Sequence, residues 1–133
     1  MLIILIIIFV LLFAIALKSG EKTVKKAIES DRIFFPFDDS IHKTRQQQER
    51  IKRSVEHDLK IKTTLSNGYS GKIIGTTGNT YLVTLKNCSC QDFKRRNLPC
   101  KHMYFLAENT LRCNVWRDEK TDEYCIEKIS IKK

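Results

Sequence analysis

Four residues constrain this chain more than anything else in it: Cys88, Cys90, Cys100 and His102, two closely spaced pairs joined by nine residues. A separation of one residue is poor spacing for a disulfide between Cys88 and Cys90, and five cysteines cannot all pair. In extended backbone, residues two apart point to the same side, so Cys88 and Cys90 can face one ion together. Two positions inside an α-helix diverge by about 200°, so Cys100 and His102 cannot both be mid-helix ligands. Cys100 is therefore expected in the turn after Pro99, with His102 in the first turn of a helix carrying Met103, Leu106, Ala107 and Thr110. Three sulfurs and one imidazole nitrogen form the closed tetrahedral set of structural zinc sites. Cys113 and Cys125 have no partner at ligand spacing and read as small apolar residues or free thiols.

The residues ahead of this cluster have strand texture. Lys72-Ile73-Ile74 and Tyr81-Leu82-Val83-Thr84-Leu85 are strand-length runs, with turn signals at Asn67-Gly68 and Thr77-Gly78-Asn79. Tyr81, Val83 and Leu85 fall on one face, Leu82 and Thr84 on the other. A hairpin feeding the ligand loop, then a helix, is the expected order. Common zinc spacing is Cys-x(2–4)-Cys, so the Cys88–Cys90 pair departs from the generic pattern.

That departure is resolved by resemblance. The stretch from about Tyr81 to Ala107 is similar to the SWIM-type zinc finger, a ββα family with the ligand pattern CxCx(n)CxH. Beyond the four ligands, Tyr81-Leu82-Val83, Ser89, Asp92-Phe93, Leu98-Pro99 and Lys101 match its habitual residues. The resemblance implies Zn2+ as cofactor and a role in DNA binding or protein–protein contact, as in chromatin remodellers, Mutator-type transposases and some signalling proteins. It does not choose between these partners.

Residues 1–17 are almost wholly aliphatic, and every charged side chain lies beyond Leu17. As a helix they span about 25 Å, the short end for crossing a bilayer. Small residues at Ala14 and Ala16 suit signal-peptide cleavage and secretion. Lys18, Lys22, Lys25 and Lys26 instead favour an uncleaved single-pass anchor with the body in the cytoplasm. A reducing compartment also keeps thiolates available to metal.

The resulting organisation is α+β: a transmembrane anchor over 1–17, a juxtamembrane and basic helical region over 18–60, a zinc-stabilised ββα finger over 61–111, and a charged tail over 112–133. Within the second region, the proline-interrupted aromatic patch Ile33-Phe34-Phe35-Pro36-Phe37 is expected to pack onto the core. Asp38, Asp39 and Ser40 offer N-caps for a helix running to about Leu59. Ile51, Val55 and Leu59 would form its apolar face, among Lys43, Arg45, Arg50, Lys52, Arg53 and Lys60.

Net charge is +9, which suits an anionic partner as well as simple solubility. Lys86, Lys94, Arg95, Arg96 and Lys101 make the finger loop basic, with Asp92 opposing, and are the nucleic-acid-binding candidates. The partner stays open at this level: protein or nucleic acid. The rival from another class is a thiol enzyme using Cys100 as nucleophile and His102 as base. Ligation would consume both residues, no third orienting group is evident, and the expectation is a protein that is not an enzyme.

Overall fold

The computed structural model describes residues 1, 7–9, 32–35, 37–65 and 68–129. The chain divides into two units, 1–31 and 32–133. The expected anchor over 1–17 lies almost entirely outside the described residues. No helix among the described residues is long and apolar enough to cross a membrane.

The second unit is α+β. It begins with the aromatic patch, and Ile33 and Phe34 are buried. Phe34 packs edge-on against Tyr104, ring centroids 5.2 Å apart, while Phe37 meets Phe93 at 6.5 Å. The patch thus serves as core, as its composition suggested.

The single helix expected from Asp38 to about Leu59 is in fact two pieces. Asp38 Oδ1 accepts from the Ser40 amide and caps a short 3-10 turn over Asp39–Lys43. Thr44 then adopts extended backbone, and its hydroxyl donates back to the Ile41 carbonyl. Only after that break does α1 run, Arg45–Glu56. It ends at His57, in extended backbone, and Leu59 enters the core as the chain becomes strand.

The buried face of α1 also differs from expectation. Ile51 is buried, but Val55 is exposed, and the covered positions are Gln47, Arg50, Ile51 and Ser54. This is helical spacing written mostly in polar residues, so hydrophobic periodicity could not find it. Most of these groups have partners: Gln47 Nε2 donates to the Pro99 carbonyl at 3.0 Å, and Ser54 Oγ donates to the Ile51 carbonyl, while Gln47 Oε1 has none among the described residues.

The sheet is antiparallel, in the order β1 (Lys60–Thr64), β2 (Ser70–Ile74), β3 (Thr80–Thr84). The hairpin read from sequence is its β2–β3 half, with Ile73 opposite Tyr81 and Gly71 opposite Val83. Ile73 and Val83 are buried on one face, and Leu82 is 60% exposed on the other, as alternation required. Gly71 permits the close approach of β1: a Cβ there would lie 2.7 Å from the Thr63 carbonyl oxygen and 3.3 Å from Leu106 Cδ1.

Two helices complete the finger, α2 (Gln91–Arg96) and α3 (Lys101–Asn109). Met103, Tyr104, Leu106 and Ala107 of α3 are fully buried and, with Ile73 and Val83 of the sheet, make up the centre of the core.

Residues 112–133, expected as a charged tail, contain a further hairpin: β4 (Cys113–Arg117) pairs antiparallel with β5 (Tyr124–Lys128). Val115, Tyr124 and Ile126 pack against the core, and polar bonds from α1 fix its edge. The Gln48 side-chain amide donates to the Tyr124 carbonyl at 2.9 Å and accepts from the Tyr124 amide at 2.7 Å, mimicking one rung of a β-ladder. Within this hairpin Cys113 is buried and Cys125 is partly covered, both as free thiols.

Candidate metal centre

The ligand loop is built directly on the end of β3. Cys88 bridges back to Val83, the Ser89 amide donates to the Leu82 carbonyl, and Ser89 Oγ accepts from the Leu82 amide. Thr84 Oγ1 accepts from the Lys86 and Asn87 amides and tightens the turn before it. These bonds hold Cys88 and Cys90 in extended backbone, with both sulfurs inward.

Cys90 has a second role. It is the N-cap of α2, and its sulfur accepts from the Phe93 amide at 3.4 Å. The Cys88 sulfur accepts from the Cys90 amide at the same distance. Backbone N–H groups aimed at sulfur favour the thiolate. Helix α2 closes on Asn97 in left-handed backbone (φ 54°), a conformation asparagine tolerates, and the chain reverses through Leu98 and Pro99. Cys100 is the N-cap of α3 and His102 lies in its first turn, as the spacing argument required. The short helix α2 within the nine-residue connection was not anticipated.

The four ligand atoms lie within 4.8 Å of one another, and all four residues are buried. His102 Nδ1 is 3.9 Å from the Cys88 sulfur and 3.8 Å from the Cys100 sulfur. A tetrahedral Zn2+ with Zn–S near 2.3 Å and Zn–N near 2.0 Å has edges of roughly 3.5–3.8 Å. The cluster fits the ion with little adjustment.

Its electrostatics make the same point. Sharing a proton with Cys100 favours the Cys88 thiolate, but Cys90 and burial outweigh this and push Cys88 up to about 12. Hydrogen bonds from Cys100 and then Cys88 hold Cys90 well below the ordinary thiol range, whereas contact with Cys88 and Cys90 drives Cys100 far above it. Three adjacent buried thiols cannot all ionise unaided; a divalent cation lets them do so.

The imidazole is positioned by packing. Tyr81 stacks on His102 with ring centroids 4.5 Å apart and planes tilted 33°. Gly75 makes room for this pair: a Cβ there would sit 2.8 Å from Tyr81 Cε2 and 3.4 Å from His102 Nε2.

A sheet, a ligand loop and a helix closing four buried Cys/His donors define a structural zinc finger of Cys3His type. Residues 65–111 match the family model of the SWIM zinc finger, and Cys88, Cys90, Cys100 and His102, all within that match, form a cluster positioned to hold zinc. No curated protein and no solved structure matches the chain.

The basic candidates are placed unevenly. Lys86 is exposed in the turn after β3, and Lys94 and Arg95 are exposed on α2. Arg96 pairs with Asp92 at 3.2 Å. Lys101 is half-buried and donates to His57 Nδ1 at 3.1 Å, and burial, then Arg53, lowers its pKa. Sequence reasoning missed Arg50, grouped with the residues around an apolar stripe. It is 5% exposed and grips Asp92 through Nε at 2.8 Å and Nη2 at 3.1 Å. Nothing in a single sequence pairs positions 42 residues apart.

Proposed function

We propose that the chain is a non-catalytic, zinc-built module that binds nucleic acid, tethered to a membrane through residues 1–17 with its body on the cytoplasmic side. The observation that carries the binding reading is the state of Asp92. As the acid opposing the loop's positive charge it is already neutralised by Arg50 and Arg96. Exposed Lys94 and Arg95 are therefore left to present their charge to solvent, and phosphate is the anion such a surface suits.

Zinc here supplies fold and not reactivity. Four protein ligands leave no position for a substrate or water, and a thiolate committed to the ion is not a free nucleophile. The anchor rests on the uncharged run 1–17 and the lysines that follow it.

The test uses the full-length, zinc-loaded chain in neutral detergent and a fluorescent DNA oligonucleotide, titrated across salt. Affinity should fall steeply as salt rises, and Arg95→Ala should weaken it uniformly across sequences. Absence of salt-dependent affinity sinks the nucleic-acid reading and leaves protein–protein contact. Membrane fractionation tests the anchor: recovery of the intact chain in the soluble fraction overturns it.

A further inference from the structure

We propose that the groove between α1 and the zinc loop is a phosphate-binding subsite, built jointly by Arg53 of α1 and Lys101 of the finger. It rests on the nucleic-acid reading above and deepens it. Its distinctive claim is that a helix outside residues 65–111 completes the finger's binding surface.

The groove has a volume of about 310 Å³ and is lined by Arg50, Arg53, His57, Tyr81, Asp92 and Lys101, with the ligands Cys90, Cys100 and His102 at its floor. Arg50 is spent on Asp92, and so is Arg96. Arg53 and Lys101 also line the groove, and neither makes an ion pair with a carboxylate among the described residues. Three thiolates and one Zn2+ leave the metal centre with a single negative charge, which the surrounding cations exceed. The lysine is also held in place. His57 Nδ1 accepts from its ammonium, which fixes that imidazole as the neutral Nε2–H form, a further donor beside the groove.

Two cations and a neutral N–H donor around a small concavity suit the oxygens of a phosphate group. The positive charge continues from the groove onto α2, whose first residues Gln91 and Asp92 line it and whose next turn carries exposed Lys94 and Arg95. A ligand with one phosphate would leave that extension unused. A chain of phosphates uses it, which favours a nucleic acid backbone over a phosphopeptide.

The oligonucleotide titration is repeated with Arg53→Gln, Arg53→Lys and, as a control on the exposed side of α1, Lys52→Gln, each checked for full zinc content. Arg53→Gln should weaken binding roughly five- to tenfold and reduce the salt slope by about one unit, Lys52→Gln should change little, and Arg53→Lys should recover part of the loss. If Arg53→Gln matches Lys52→Gln while Arg95→Ala still weakens binding, the subsite is wrong and the broader reading stands. If no variant and no wild-type protein binds the oligonucleotide, the broader reading itself has failed. A phosphothreonine peptide that binds in an Arg53-dependent way, with oligonucleotide binding unaffected, overturns the choice of ligand.

Discussion

The guanidinium of Arg50 and the carboxylate of Asp92 form a two-bond ion pair, at 2.8 and 3.1 Å, that fastens the helix α1 to the first turn of α2 beside the metal. Arg50 is 5% exposed, so its charge depends on that partner. This contact makes α1 part of the finger's architecture and not merely its neighbour.

Breaking the pair from the acidic side should be costly because it strands a buried cation. Asp92 is itself partly exposed, so water recovers some of the loss, and Asp92→Asn should destabilise the zinc-loaded protein by about 1–3 kcal/mol. Arg96→Ala, which removes only the exposed partner, should cost under about 1 kcal/mol. Denaturant unfolding of both variants checks this, and equal losses would show that Arg50 is not held by Asp92.

Metal removal should unfold the finger. Structural zinc contributes roughly 10–16 kcal/mol of apparent binding free energy in finger peptides, more than a small sheet and helix gather alone. A strong chelator should abolish much of the helical circular dichroism, and added Zn2+ should restore it. Cys90→Ser should abolish stoichiometric zinc, whereas Cys113→Ala should not.

Thiol reactivity should sort the five cysteines. With zinc bound, Cys125 is partly exposed and should alkylate first; Cys113 is buried, and burial, then Glu108, pushes its thiol up to about 12, so it should react slowly. Chelation should release all five. Mass spectrometry reads this directly, and Cys100 labelling as fast as Cys125 in loaded protein would contradict ligation.

His42 should make stability depend on pH. The Tyr104 hydroxyl accepts from Gln47 Nε2 at 3.2 Å and shares a hydrogen bond with His42 Nδ1 at 2.7 Å. Burial lowers the His42 pKa below its ordinary 6.5, with Asp39 only partly opposing. The unfolded chain therefore binds the proton more readily than the folded one. The stabilisation is fully present above about 6.5 and is lost as pH falls from there through the folded value. Unfolding measured between pH 7.5 and 5 should show a shallower acid loss for His42→Gln than for wild type. Identical slopes would remove His42 from the account.

Gly71→Ala should cost more than Gly75→Ala. The added methyl meets backbone oxygen of Thr63 at 2.7 Å in the first case and the Tyr81 ring at 2.8 Å in the second. A ring can shift, whereas a paired strand cannot without losing its ladder. Overpacking of this kind costs about 1–3 kcal/mol, with Gly71→Ala at the upper end. Gly75→Ala should show chiefly as weaker zinc retention, through Tyr81 displaced from His102.

The metal ligands, the β2–β3 hairpin and the helical turn that presents His102 were legible in the residues because each follows from local geometry. Alternation assigns a face, and ligand spacing either fits extended backbone or fits the start of a helix. The split at Thr44, the polar underside of α1 and the C-terminal hairpin were not legible. Thr44 breaks its helix through a hydroxyl bond to the Ile41 carbonyl that the residue type alone does not dictate. Gln47, Gln48 and Arg50 look like solvent-facing residues until Pro99, Tyr124 and Asp92 arrive from elsewhere in the chain. Local pattern, together with the family resemblance, thus marked which atoms are placed to hold zinc. Tertiary structure alone decided which charges are consumed inside the fold and which remain to meet a partner, because that depends on contacts between residues far apart in sequence.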